Sequence, residues 1–77
     1  MRGSAREVVA DVSGVGTVTL TVRDTNDSTR LNVTCTEQVT DGGAVRLPFG
    51  VPNSTTNLTI EAVVNGPTIT GIRAHAI

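Results

Sequence analysis

The sequence predicts an all-β fold, a small antiparallel β-sandwich or jelly-roll-like barrel of about six strands. Thirteen threonines and twelve valines among 77 residues favour strands, because β-branched side chains suit a pleated surface and are stiff in a helix. Apolar residues recur with period two in almost every segment, and no 3.6-residue stripe of useful length competes with them. Clusters of Gly, Asn, Asp and Pro punctuate these segments at the short spacing of all-β domains. The length suits one domain, 1–77. Residues 1–5 are expected as an N-terminal arm, and Met1 to Ser4 are equally readable as an expression-vector remnant.

The first strand, Arg6 to Val12, sets Val8, Ala10 and Val12 against Glu7, Val9 and Asp11 on opposite faces. Ser13-Gly14-Val15-Gly16 then turns the chain into Thr17 to Arg23, the cleanest alternation present, with Val18, Leu20 and Val22 facing the core. A long polar loop, Asp24 to Thr29, leads back into a third strand over Arg30 to Thr36 that turns Leu31, Val33 and Cys35 inward. These two segments predict a hairpin. After the turn around Thr40-Asp41-Gly42-Gly43, Ala44 to Phe49 carries Val45, Leu47 and Phe49 on one face. Pro48 cannot donate to a ladder, which makes this an edge strand. Gly50 to Thr56 lacks periodicity and is expected to bridge two sheets. Asn57 to Val64 alternates through Leu58, Ile60, Ala62 and Val64, and Asn65-Gly66 predicts a hairpin into a last strand, Thr68 to Ile77. There a bulge at Gly71 reconciles the opposite parity of Ile69 and Ile72, so that Ile72, Ala74 and Ala76 continue the inner face.

Composition narrows the function. Six arginines, no lysine and seven acidic residues give a net charge of −1, without the basic field that sequence-independent nucleic-acid binding needs. Phe49 is the only aromatic residue, so stacking platforms for bases or sugar rings are missing. The apolar runs are pairs and triplets, far short of the roughly 20 residues of a membrane-spanning helix. Neither a nucleic acid nor a membrane is an expected partner. One cysteine excludes an internal disulfide. Cys35 reads as a small buried hydrophobe, and one histidine, His75, offers no catalytic triad by spacing. No enzyme, catalytic residue or cofactor is expected.

Asp24, Asn26, Asp27 and Ser28 gather oxygen ligands of the kind calcium takes. Asx-turn chemistry explains the same residues without an ion, so Asp24, Asn26 and Asp27 are weak metal candidates and no metal is assigned. Four of five asparagines fall in Asn-X-Ser/Thr, at Asn26, Asn32, Asn53 and Asn57, which alternating Thr-rich strands produce without glycosylation. Thr17, Thr19 and Thr21, with Thr34, Thr36 and Thr59, read as ordinary cross-strand pairing rather than an ice-binding array. Val9, Val15, Val51, Val63 and Ile77 lie off the core parity. Together with Arg73 and His75 they are the expected interface residues.

The run Gly16 to Asn26 followed by Leu31-Asn32-Val33-Thr34 resembles the middle of carbohydrate-binding modules with a galactose-binding-like jelly roll. Asn57-Leu58-Thr59-Ile60-Glu61 and Gly66 to Ile72 are similar to their final strands. The resemblance spans about two thirds of the chain, implies a sandwich, and offers a reduced carbohydrate-binding module as the alternative function. Such modules are longer and present aromatic residues to a sugar, whereas this chain has no Trp or Tyr. In size and Thr/Val/Gly-rich composition the chain also resembles small accessory proteins that decorate bacteriophage heads or tails, a likeness without a defining motif. Arginine without lysine is compatible with a GC-rich genome. The resulting expectation is a structural module bound to capsid or tail subunits, homo-oligomeric or held in a lattice. Its location would then be the virion, after synthesis in the host cytoplasm, or outside the cell if a leader precedes it.

Overall fold

In a computed structural model describing residues 3–77, six antiparallel strands are seen: β1 (Gly3–Ser13), β2 (Gly16–Asp24), β3 (Asn32–Val39), β4 (Gly43–Pro52), β5 (Leu58–Asn65) and β6 (Thr68–Ala76). They form two three-stranded sheets, ordered β4-β1-β6 and β3-β2-β5. No helix occurs among the described residues. The arrangement is sandwich-like, and the sheets do not join into a barrel.

Each central strand supplies the inner face that its alternation requires. Val8, Ala10 and Val12 of β1 and Val18, Leu20 and Val22 of β2 are buried in one cluster with Val39, Val45, Leu47 and Phe49. Leu31 joins them from just ahead of β3, while Val33 and Cys35 pack at its margin. Thus β3 begins two residues later than the alternation suggested and runs on to Val39. Strand β4 is an edge strand, as Pro48 requires, but it extends through Gly50, Val51 and Pro52. These residues pair with Ala5, Ser4 and Gly3, so residues 3–5 belong to β1 rather than to an arm. The remainder of the expected arm, residues 1 and 2, lies outside the described residues.

A larger correction concerns the end of the chain. β5 pairs with β2 and β6 pairs with β1, so Asn65-Gly66-Pro67 is a crossover between sheets and not a hairpin. A type I′ hairpin needs φ > 0 at both central residues, and Gly66 has φ +108° whereas Asn65 is not in that region. This crossover runs against the one between β1 and β2. A Cβ on Gly66 would stand 2.2 Å from the Val15 carbonyl oxygen, and one on Gly16 would stand 2.0 Å from that of Asn65. The expected bulge is present between Ile69 and Ile72, but one residue before Gly71. Asp11 faces Gly71 and Val12 faces Ile69, which leaves Thr70 as the extra residue, and its hydroxyl donates to the Asp11 carbonyl at 3.1 Å.

The two sides of the sandwich differ. The β3 and β4 edges approach each other closely, whereas β5 and β6 make no comparable approach.

Candidate functional site

At one end of the molecule, the loop after β2 and the segment joining β4 to β5 lock together around Asp24. The carboxylate is 1% exposed. Its Oδ1 accepts the Asn26 and Asp27 amides at 2.8 and 3.1 Å, and its Oδ2 accepts the Thr55 hydroxyl at 2.8 Å. The Thr55 bond, then the two amides and the Arg30 guanidinium, hold Asp24 below its ordinary carboxylate value despite the opposing effect of burial. Asp27 is likewise lowered, first by the Thr29 hydroxyl and its amide. The candidate ligands Asp24, Asn26 and Asp27 are therefore together in space, but the two carboxylates are occupied by internal donors. Among the described residues no group of three or more His, Cys, Asp or Glu could hold a metal. All four Asn-X-Ser/Thr asparagines are exposed.

The outer face of the first sheet is an ion-pair lattice over a buried valine. Val9, expected at an exposed interface, is 0% exposed. Its neighbours across the strands are Arg46 and Arg73. Arg46 reaches to Glu7 at 2.9 Å, and Arg73 pairs with Asp11. Guanidiniums drawn diagonally in this way lay their aliphatic stems over Val9, the geometry by which long cationic side chains cover apolar surface. His75 Nε2 lies 3.1 Å from the same Glu7 oxygen that receives Arg46. Val51, a second expected interface residue, is half-buried against the core.

The outer face of the second sheet is a threonine ladder. Thr19 and Thr36 share a hydrogen bond of 3.0 Å, Thr21 and Thr34 one of 3.2 Å, and Thr25 and Thr59 one of 2.7 Å. The hydroxyls thus partner one another across the strands.

The least expected feature is the open side between β5 and β6. Ala10 faces Ile72 and Val8 faces Ala74, so Ile72 and Ala74 share the face of two fully buried residues. Yet Ile72 is 47% exposed, and Ala74 and Ala76 are exposed as well. Across the gap Ile60, the partner of buried Val22, is also exposed. Parity hid these residues from the sequence reading, which assigned them to the core. Of the expected interface residues, Arg73, His75 and Ile77 are exposed along or just beyond β6, Val63 is exposed on the Thr face and Val15 at the crossover end. They do not form one patch.

Sequence reading also missed a shallow concavity of about 380 Å³ between β3 and β4, lined by Glu37, Gln38, Val39, Thr40, Val45 and Arg46 among others. It holds neither His75 nor Cys35. Burial, and secondarily Glu37, pushes the Cys35 thiol above its usual range, the opposite of what a reactive thiolate needs. No protein-family model, curated protein or solved structure matches this chain.

Proposed function

We propose that the chain is a non-enzymatic structural module that docks on a larger symmetric assembly, most concretely a virion accessory or decoration protein bound to capsid or tail subunits. The observation that carries this reading is the uncovered inner row of β6, with Ile72 and Ala74 continuing the core face but exposed. Apolar surface left open beside a free strand edge is a cost to a small isolated domain and a binding surface to an assembled one. The groups that could do chemistry are otherwise engaged: His75 in the Glu7 cluster, Asp24 in its loop, and Cys35 held protonated. The alternative, a reduced carbohydrate-binding module, draws no support from the candidate loop. Asp24 is saturated by internal donors, and Phe49 is buried.

Sedimentation of a lysate from cells that express the chain tests this. The expected result is co-sedimentation with a large particle at fixed stoichiometry, weakened by Ala76→Asp on the open side. Recovery only in the small soluble fraction would overturn the assembly reading.

A further inference from the structure

The four sheet edges are not equivalent. β4 carries Pro48 and Pro52, and the β3 and β4 edges lie close to each other. Proline and a covered edge both block the addition of another strand. β5 lacks proline, but pairing it with itself about Ala62 would set Glu61, whose carboxylate is already held by Arg23 of its own sheet, against the apolar Val63 of the other copy, so no polar pair forms across that edge. β6 is different. Beyond its bulge at Thr70 it runs regularly through Ile72, Arg73, Ala74, His75 and Ala76, with no proline and no inward charge.

We propose that β6 pairs with β6 of a second copy of this chain, antiparallel about a two-fold axis through Ala74, merging the two three-stranded sheets into one of six. The inference rests on reading the β5–β6 side as a docking surface and names its occupant. In this register Ala74 meets Ala74 of the second copy, and each Ile72 meets an Ala76. Large packs against small on the inner face, and a small pair sits on the axis. On the outer face each Arg73 lies beside the second copy's His75, with that copy's Glu7 directly behind it. The row formed by Arg46, Val9 and Arg73 is thereby continued by His75, Glu7 and Pro48 of the other subunit. Each Arg73 thus stands next in the row to His75 of the other copy, whose Nε2 is already held by Glu7, so an acidic group lies one strand from the cation on both sides of the axis, an arrangement a self-pairing interface can use. The shared operator also brings the two open sides together, so that Ile60 and Ile72 of both copies come under one cover.

The test uses the full chain. Sedimentation equilibrium from micromolar to about 1 mM should show a monomer–dimer equilibrium that Ala74→Arg weakens at least tenfold. The arginine variant replaces an exposed side chain, and circular dichroism checks that its strands remain. In a Cys35→Ser background, Ala74→Cys should form a dimeric disulfide under mild oxidation, since directly opposed strand residues meet the Cα separation a disulfide needs. Thr34→Cys, on the outer face of the other sheet, should not. A chain that stays monomeric throughout, a dimer indifferent to Ala74→Arg, or equal cross-linking at positions 74 and 34 would each overturn the pairing. A monomer that still co-sediments with a large particle would remove the pairing and leave the assembly reading. A dimer with no particle would do the reverse.

Discussion

Asp24 makes the fold sensitive to acid. Its carboxylate accepts a hydroxyl and two amides, which favour the ionised form and outweigh the opposing effect of burial, so its pKa is lowered on folding. A group with a depressed folded-state pKa contributes stability that is present above its unfolded value and lost as pH falls through the folded one. Urea midpoints should therefore be flat near neutrality and fall below about pH 4, the ordinary range of an aspartate. Asp24→Asn should lower the neutral midpoint and flatten the acid limb. An unchanged acid limb in that variant would show that other carboxylates set it. Asp27, half-buried and also lowered, adds a contribution of the same sign. At this scale the sequence showed which residues gather but not what they bond. Asx-turn and cation-ligand readings use the same oxygens, and only the arrival of Thr55 from a segment 31 positions away distinguishes them.

Single glycines decide how the strands are joined. Gly66 combines φ +108° with the Val15 carbonyl oxygen 2.2 Å from where a Cβ would be, so Gly66→Ala must both strain its own backbone and displace the neighbouring crossover. The expected loss exceeds about 1 kcal/mol. Gly50 provides the contrast within an edge strand: nothing lies within 4 Å of its missing Cβ. Because glycine in a strand interior is unfavourable by roughly 0.5–1 kcal/mol relative to alanine, Gly50→Ala should stabilise. Thermal melts of the two variants should move in opposite directions, and a shared direction would refute the crossover geometry. The alternation of β1 and β2 was legible because their inner rows are buried, and β5 keeps the same alternation although its inner row is only half-buried and Ile60 is exposed. The extension of β4 was not, since Gly50 and Pro52 read locally as breakers although β1 pairs with them along its first residues. Asn65-Gly66 misled for the same reason: a turn dipeptide reports a reversal, but which sheet receives the next strand is settled by the partners β1 and β2.

The whole molecule measures 39 × 22 × 16 Å, elongated along strands of up to eleven residues. Its accessible surface of 4579 Å² compares with roughly 11,600 Å² for an unfolded chain of this mass, so only about 60% is buried on folding and the core has little to spare. Total stability on the scale of small domains is roughly 4–12 kcal/mol. Leu20, 0% exposed at the centre of the cluster, should cost about 2–5 kcal/mol when cut to alanine, a large share of the whole. Ile72 has the same inward parity but is 47% exposed, and the substitution Ile72→Thr keeps its β-branched shape. In the dilute monomer it should change stability by no more than about 0.5 kcal/mol, as surface substitutions do. At concentrations where copies associate, the same substitution should lower the midpoint, because binding to the folded state alone adds stability by mass action. Urea titrations at two widely separated concentrations separate the two contributions. A large loss at both would place Ile72 in the monomer core and close the open side, whereas a loss confined to high concentration assigns that face to association.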